Sequence, residues 1–283
     1  MKKFIISLIK ITVWFLGWSI IVGFLPFPEF ENPVIWRFFA ELIPLALTIV
    51  MTFVFWYIEK RSIKLCFFNN VFKGFSIGIF SGLVWLFIPV VMMISFNTMI
   101  FGELQKIEML SLWFVSVFFN VVMQELLVRG YLYQMLKQKH NVIVACVVTT
   151  FIFTAFHGGA FGVGVIPVFN VLTMSLLMTV VLEYTNSIIA PTMMHFLWNG
   201  IGALVLGGVN LADDYPKMFN TIFTGNEILS GGMCKIEGSV FVLITNVLMI
   251  VVFVILKKFK PMKSNELHRF VFYFGKLIVS NEA

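Results

Sequence analysis

The chain has 283 residues, of which 60% are hydrophobic, 17% are aromatic and 12% are charged. A soluble domain carries about 25% charged residues, so this composition excludes a cytosolic enzyme, a secreted disulfide-rich domain and a disordered chain, and it indicates an integral membrane protein. The formal net charge of +6 is explained by lysines in the loops; without a basic patch on a polar domain it does not indicate nucleic acid as a partner.

Eight continuous apolar runs follow one another along the chain, each about as long as a membrane-spanning helix. They cover residues 4–25, 35–57, 75–96, 110–127, 142–156, 163–182, 188–206 and 240–256. Contiguous apolar residues are typical of membrane helices, whereas a membrane β-barrel shows alternation. The first run follows Met-Lys-Lys but is too long for a signal peptide and lacks a cleavage site, so we interpret it as a retained span. We predict an all-α membrane protein, a bundle of about eight transmembrane helices in a single polytopic domain over residues 1–283.

The connections between these runs alternate in charge. The loop after the second run, the segment between the fourth and fifth runs and the tail are rich in lysine and arginine, whereas the loops after the first, third and seventh runs are acidic or neutral. Cytoplasmic loops of membrane proteins carry the excess of positive charge, so we predict that both termini are cytoplasmic. Residues 207–238 then form an external loop of about 30 residues, which is long for a helix bundle.

Three polar clusters interrupt the apolar runs, and ionisable groups at membrane depth are functional candidates because their burial is costly. In the first cluster, Glu125 and Arg129 are four residues apart on one helical face, a spacing that favours an ion pair. Gln124 projects about 100° away, on the same edge as Asn120. The alternative interpretation is an ordinary ion pair at the cytoplasmic end of a helix.

The second and third clusters each contain a histidine. His157 ends an apolar run just before Gly158, and His195 lies four residues before Asn199 on the same helical face. Separately, these residues fit an interface histidine and polar contacts between membrane helices. Because one wet cavity would satisfy all of them together, we expect Gln124, His157, His195 and Asn199 to line it. At about 1.5 Å per residue, His157 lies about 24 Å along its helix and His195 about 11 Å along its own, so the two helices must be offset.

The order and spacing of these clusters resemble the CPBP intramembrane proteases, marked by Glu-Glu-x-x-x-Arg, Phe-x-x-x-His and His-x-x-x-Asn. That family includes the type II CAAX prenyl endopeptidases and the bacteriocin-processing or self-immunity proteins often labelled Abi. Here the motifs are Gln124-Glu125 to Arg129, Phe153 to His157, and His195 to Asn199. Asn170, and Gly231-Gly232 followed by Glu237-Gly238-Ser239 before the last run, also look like those of bacterial members. The resemblance covers roughly residues 110–256, which we predict to be a CPBP-like core.

The resemblance implies an intramembrane endopeptidase that cleaves a membrane-associated or leader peptide by activating water. The implied catalytic residues are Gln124, Glu125, His157, His195 and Asn199, with Arg129 and Asn170 as positioning residues. His157 would polarise the water, and His195 with Asn199 would bind metal or stabilise an oxyanion. The family label also implies a divalent metal such as zinc, with His157 and His195 as ligands. Two histidines without a carboxylate are a poor zinc set, so we do not expect tight zinc binding.

One motif residue departs from the family pattern. Gln124 stands where the family has a glutamate, and an amide does not accept a proton at neutral pH. Three outcomes are open for the chemistry: Glu125 serves as the base after a one-residue rotation, a histidine serves alone, or the chain is catalytically impaired.

The sequence therefore leaves two functions open. The first is the endopeptidase, and the second is an inactive relative that acts as a bacteriocin-immunity or signalling binding protein. A secondary transporter would show a matched pair of interrupted helices, and we find none in the sequence. The expected partners are the lipid bilayer and a peptide or membrane-protein substrate, and the expected location is the bacterial plasma membrane, as a multi-pass protein.

Overall fold

The computed structural model describes residues 2–259, and the basic tail from residue 260 onward lies outside the described residues. Its helices are α1 (Lys2–Phe24), α2 (Pro33–Ile58), α3 (Val71–Ser95), α4 (Leu110–Glu125), α5 (Tyr131–Lys139), α6 (Val142–Phe156), α7 (Val165–Thr185), α8 (Ile189–Asn199), α9 (Glu227–Ser230) and α10 (Val240–Lys258). Two π-helical turns, Leu126–Gly130 and Gly200–Val205, follow α4 and α8. Two 3₁₀ turns, Gly158–Gly162 and Gly232–Gly238, precede α7 and α10.

Six segments are long and apolar enough to cross a membrane, and the prediction of an all-α membrane protein is confirmed. They are Lys3–Phe24, Pro33–Ile58, Val71–Ser95, Leu110–Lys139, Val165–Thr185 and Gly232–Lys258. The other two predicted spans are shorter, because α6 has 15 residues and α8 has 11 before its π turn begins. The fourth span is longer than predicted, because the π turn carries the helix beyond Gly130. The cytoplasmic position of both termini stays a prediction.

Close packing of α8 against α3 fixes the helix that carries His195. A Cβ atom on Gly78 of α3 would lie 2.7 Å from the carbonyl oxygen of Ala190, so only glycine allows this approach. Small residues are the usual means by which membrane helices come together. Farther along the same interface, Trp85 stacks on Trp198 with ring centroids 4.1 Å apart. The face of α8 that bears His195 is thereby held in one orientation.

A buried asparagine of α10 ties three helices together beside α8. Asn246 accepts a hydrogen bond from Trp85 Nε1 on α3, at 2.6 Å. Its amide nitrogen donates to the carbonyl oxygen of Asn170, at 3.2 Å, and to Thr173 Oγ1, at 2.8 Å, both on α7. Since hydrogen bonds between membrane helices compete with little else in the bilayer, this node fixes α3, α7 and α10 relative to one another.

The predicted outer loop, residues 207–238, folds back over the helices. Strand β2 (Ile222–Phe223) lies in this loop and pairs antiparallel with β1 (Met99–Ile100), which follows α3. The 3₁₀ turn Gly232–Gly238 then returns the chain to α10. The loop is therefore a fixed wall at one end of the bundle, the end at which α2 begins and α6 ends.

Candidate active site

A buried ion pair stands at the centre of the bundle, as the spacing of its residues predicts. Arg129 Nη1 lies 3.2 Å from Glu125 Oε1, and both side chains are fully buried. Arg129 Nη2 also donates to Ser175 of α7, at 2.7 Å to Oγ and 3.1 Å to the carbonyl oxygen. The guanidinium lies over the Phe153 ring of α6, 4.6 Å from its centroid. The guanidinium of Arg129 therefore balances the charge of Glu125 and also connects α4 with α6 and α7.

Glu125 faces His195 rather than open space, a contact that the sequence analysis missed. His195 Nδ1 lies 2.9 Å from Glu125 Oε1, although the two residues are 70 positions apart in the chain. A carboxylate only accepts hydrogen bonds when ionised, so Nδ1 carries the proton and Nε2 points away from Glu125. Asn199 Nδ2 lies 3.4 Å from that Nε2. The carboxylate thus sets the tautomer and the orientation of the imidazole, as second-layer carboxylates do for histidines in many sites.

His157 is oriented by its own helix end. Its Nδ1 donates to the carbonyl oxygen of Phe153 at 2.8 Å, because a carbonyl oxygen can only accept, and Nε2 is left with its lone pair. The imidazole stacks on the Phe153 ring at 4.3 Å between centroids, and the same phenyl ring lies 6.1 Å from that of His195. Phe153 therefore lies between the two histidines. Its ring contacts both of them, although His157 and His195 lie at different depths along α6 and α8.

Gln124 belongs to a polar chain that leads from α4 to α2. Its Nε2 donates to Asn120 Oδ1 at 2.6 Å, and Asn120 Nδ2 donates to Glu41 Oε2 at 2.8 Å. The other Glu41 oxygen accepts from Tyr215 Oη at 3.1 Å and from Arg37 Nη1 at 3.2 Å. These bonds fix the Gln124 amide so that Oε1 is buried without a hydrogen-bond partner among the described residues.

The polar chain ends in the outer loop. Arg37 pairs with Asp214, and its guanidinium lies over the Tyr215 ring, 5.0 Å from the centroid. Burial, and then the Glu41 carboxylate, raise the pKa of Tyr215, so its hydroxyl stays protonated and donates to that carboxylate. The loop is thereby attached to the start of α2 by an ion pair, a cation–π contact and a hydrogen bond.

A cavity of about 570 Å³ lies between the helices and this loop. The structure brings four of the predicted site residues to its wall: Gln124, His157, His195 and Asn199. Glu125, Arg129 and Asn170 are not among the lining residues. Two carboxylates that the sequence analysis missed do line it, Glu41 of α2 and Glu237 of the 3₁₀ turn before α10.

Asn170 does not face the cavity but holds part of its wall. Its Nδ2 donates to the carbonyl oxygens of Glu237, at 2.8 Å, and Ser239, at 2.9 Å. The side chain of Ser239 then caps α10 by accepting from Phe241 N at 3.2 Å. Asn170 therefore joins the middle of α7 to the turn that carries Glu237.

The donors around the cavity do not fit the zinc site that the family label implies. Within residues 2–259, no three His, Cys, Asp or Glu side chains lie close enough together to hold a metal ion. The Nδ1 atoms of His195 and His157 are bonded to Glu125 and to the carbonyl oxygen of Phe153, so each histidine offers one free Nε2, and two imidazoles are too few ligands for zinc. Catalytic zinc sites use three protein ligands, usually with a carboxylate or thiolate where histidines are few. The residues at this site therefore do not support a metal-dependent step.

Comparison with known proteins supports the interpretation of the motifs. Residues 106–201 match the family model of the Rce1-like type II CAAX prenyl endopeptidases. The match covers about a third of the chain and contains all three motifs, so the resemblance to the CPBP and CAAX protease family is confirmed. No curated protein and no solved structure matches the chain. The chain is a multi-pass membrane protein with an Rce1-like segment, and both Glu41 and Glu237 lie outside that segment.

Proposed function

We propose that the chain is an intramembrane endopeptidase of the bacterial plasma membrane, which cleaves a membrane-associated or leader peptide. The observation that carries this proposal is the convergence of Gln124, His157, His195 and Asn199, from three helices, on one cavity of about 570 Å³. A cavity of this size lies within the usual range for ligand sites. Ordinary helix packing gives no reason for four uncommon polar groups to share it.

Two of these groups are suited to hold the attacking water. His157 Nε2 carries a lone pair, because Nδ1 is committed to the carbonyl oxygen of Phe153. Gln124 Oε1 has no hydrogen-bond partner among the described residues and is likewise an acceptor. A water molecule has two hydrogens and can donate one to each, which would fix the direction of its remaining lone pairs toward a peptide carbonyl carbon.

The other two groups are suited to stabilise an oxyanion. His195 Nε2 and Asn199 Nδ2 lie 3.4 Å apart, which is long for a hydrogen bond between them. It is a natural separation for two donors that share one oxygen, each at about 2.7–3.1 Å. The role requires a proton on both ring nitrogens of His195, and the Glu125 carboxylate at 2.9 Å compensates that charge. Arg129 in turn fixes Glu125.

A second candidate function is a binding protein that uses the same cavity, such as a bacteriocin-immunity or signalling protein. The observation in its favour is Gln124, an amide bonded to Asn120 at the position where the family has a carboxylate. General acid–base help is typically worth about 10²–10⁴-fold in rate, so a site that lacks it is a poor enzyme unless another base is present.

The test compares Asn199→Ala with Asn220→Ala in full-length protein reconstituted in lipid nanodiscs. Asn220 is exposed and does not line the cavity, so it is a matched control. The probes are an internally quenched farnesylated peptide ending in a CAAX sequence and an internally quenched apolar peptide without lipid. We expect hydrolysis by the natural chain, a loss of about 10²–10³-fold in kcat for Asn199→Ala, and an unchanged rate for the control. Absence of hydrolysis by both the natural chain and Gln124→Glu would support the binding protein instead.

A further inference from the structure

The carboxylate that the family pattern places on α4 is absent from this site, because Gln124 stands there and cannot take a proton from the water. We propose that Glu237 is the general base of this site, a role that rests on the endopeptidase function proposed above. The carboxylate thus comes from the turn before α10 instead of from the first motif on α4.

Elimination among the carboxylates near the cavity supports this assignment. Glu125 is fully buried behind His195 and does not line the cavity. Glu41 lines it, but its two oxygens already accept hydrogen bonds from Arg37, Tyr215 and Asn120, so protein donors occupy the positions that a water would need.

Glu237 differs from both. Its Oε2 accepts from the backbone N–H of Asn210 at 3.1 Å, and its Oε1 lies 3.5 Å from Trp198 Nε1, so both donors are neutral. Within residues 2–259, no Lys, Arg or His nitrogen lies within 4.0 Å of it, whereas Glu41, Glu59, Glu125 and Glu183 all have such partners. Lys235, two residues earlier on the same turn, acts on this carboxylate only from beyond 4.0 Å, so no cation in direct contact holds Glu237 in its ionised form.

The turn that carries Glu237 is rigid by construction. Gly231 has a φ of +78°, and a Cβ atom there would lie 1.6 Å from the carbonyl oxygen of Lys235. A Cβ on Gly238 would lie 2.1 Å from the carbonyl oxygen of Gly231. Only glycine fits either position, and Asn170 fixes the backbone of this turn from α7. Such a turn is built to hold its side chains in place, which a base must be.

The contact with Trp198 links this turn to the helix that carries the oxyanion donors. Trp198 directly precedes Asn199 on α8, and its ring is held by Trp85 at 4.1 Å. The carboxylate of Glu237 is therefore placed against α8 in the neighbourhood of His195 and Asn199, on the wall that those residues share.

The proposed step balances without a further reactant. Glu237 takes a proton from the water while the water oxygen bonds to the peptide carbonyl carbon, and the carbonyl electron pair moves to the oxygen held by His195 and Asn199. When the tetrahedral intermediate collapses, the C–N bond breaks, and the protonated Glu237 returns its proton to the leaving nitrogen. For this step the water turns one hydrogen from Gln124 Oε1 to Glu237, and its other hydrogen stays on His157 Nε2 and keeps the oxygen oriented.

The experiment uses the same two quenched probes and full-length protein in nanodiscs, with four chains: natural, Glu237→Gln, Glu237→Gln combined with Gln124→Glu, and the control Glu227→Gln. Glu227 is exposed in the same loop and does not line the cavity. We expect Glu237→Gln to lower kcat by about 10²-fold or more with KM nearly unchanged, and to abolish the loss of rate at acid pH. Gln124→Glu should restore at least about tenfold of that loss, and the control should stay within about twofold of the natural rate.

The other outcomes separate the two proposals. Natural activity that survives in a folded Glu237→Gln chain would overturn the role of Glu237 and leave the endopeptidase intact. Activity only after Gln124→Glu would show that the natural site has no base. Hydrolysis by none of the chains would reject the endopeptidase together with the base. If Glu237→Gln fails to fold, Glu237→Asp provides the test. It keeps a carboxylate, so its rate should still fall at acid pH, with a reduced kcat.

Discussion

Two carboxylates of α2, one in its first half and one at its C-cap, are held in different ways. Glu59, just after the helix, receives Lys139 Nζ on both oxygens at 2.6 and 2.7 Å, pairs with Lys10, and accepts from Tyr131 Oη at 3.2 Å. Glu41, about 27 Å away at 1.5 Å per residue, has one arginine and two neutral donors at the edge of the cavity.

Glu183 at the end of α7 repeats the arrangement of Glu59. It pairs with Lys137 and Lys257 and accepts from Tyr133 Oη at 3.0 Å. At the lysine-rich end of the bundle, each of these two carboxylates therefore has two lysine partners. The ion pairs join α1, α2, α5, α7 and α10.

Around the cavity, by contrast, hydrogen-bonding capacity is left over. The buried carboxylate and amide oxygens that lack partners among the described residues lie here, at Gln124 Oε1, Glu125 Oε2 and Asn170 Oδ1, and Glu237 has no cation in contact. Away from the cavity, the buried atoms without partners are the hydroxyl oxygens of Thr52 and Ser187 and the indole nitrogen of Trp14. An unsatisfied buried polar group costs about 1–3 kcal/mol, so a fold keeps such groups where a ligand or water completes them. The comparison distinguishes an end built for stability from an end built for chemistry.

The largest expected difference between the two ends of the bundle is the side of the membrane on which each one lies. This difference is all or none. Reporters fused after Lys263 or inserted into residues 59–73 should be cytoplasmic, and one inserted into residues 213–227 should be external, since the positive charge lies at the first two sites. Alkaline phosphatase and fluorescent-protein fusions measure this directly. The cavity would then open to the outside, and an external signal from the tail fusion would reverse that orientation.

The next largest effect concerns the missing carboxylate. Gln124→Glu preserves the shape of the side chain and adds a proton acceptor beside His157 and Asn120, so we expect hydrolysis of the quenched probes to rise by up to about 10²–10⁴-fold. Gln105→Glu is the matched control, because Gln105 is exposed in an outer loop. An equal rate in both variants would mean that the position on α4 does not take part in proton transfer.

The spans and the Glu125–Arg129 pair were predictable from the sequence, and the contacts between distant helices inside the site were not. A run at 35–57 predicted α2, which extends from Pro33 to Ile58, because the length of an apolar helix is dictated by the bilayer. The shared cavity followed from the cost of isolated polar groups in a membrane. By contrast, the contact of Glu125 with His195 depends on how α4 and α8 pack, and no local pattern records it.

The two additional carboxylates escaped prediction for a related reason. Glu41 stands four residues after Arg37 in a long apolar run, and this spacing predicts an ion pair but not a place at the cavity. Glu237 stands in a loop among glycines and belongs to no periodic pattern. Only the folded positions of α2 and of the turn before α10 bring them to the cavity. The π turns after α4 and α8 were likewise invisible, because their sequences continue the helical pattern.

A smaller effect is expected for the buried pair Glu125 and Arg129, which belongs structurally to the site but is as fully paired in charge as the lysine-rich end. Removal of one partner leaves an uncompensated buried charge, which typically costs about 3–5 kcal/mol. Glu125→Gln and Arg129→Met should each lower the folded yield and the Tm in detergent, and the double variant should lose less than the sum of the two. Additive losses would show that the two side chains stabilise the bundle independently.

The smallest effect concerns Glu59 and depends on pH. Burial acts to raise the pKa of Glu59, but the hydrogen bonds from Lys10 and Lys139 outweigh it, so the pKa lies below its usual value. A carboxyl group with a lowered pKa in the folded state contributes stability above its unfolded pKa of about 4.3, and this contribution is lost as the pH falls through the folded value. Because both lysines are partly exposed, we expect about 1 kcal/mol. The Tm difference between the natural chain and Glu59→Gln should be full at pH 7 and shrink toward pH 3, whereas Glu29→Gln, at an exposed loop position, should show no such difference. A difference that persists unchanged at pH 3 would mean that Glu59 stabilises the lysine-rich end by packing, and the contrast with the cavity would then rest on geometry instead of charge.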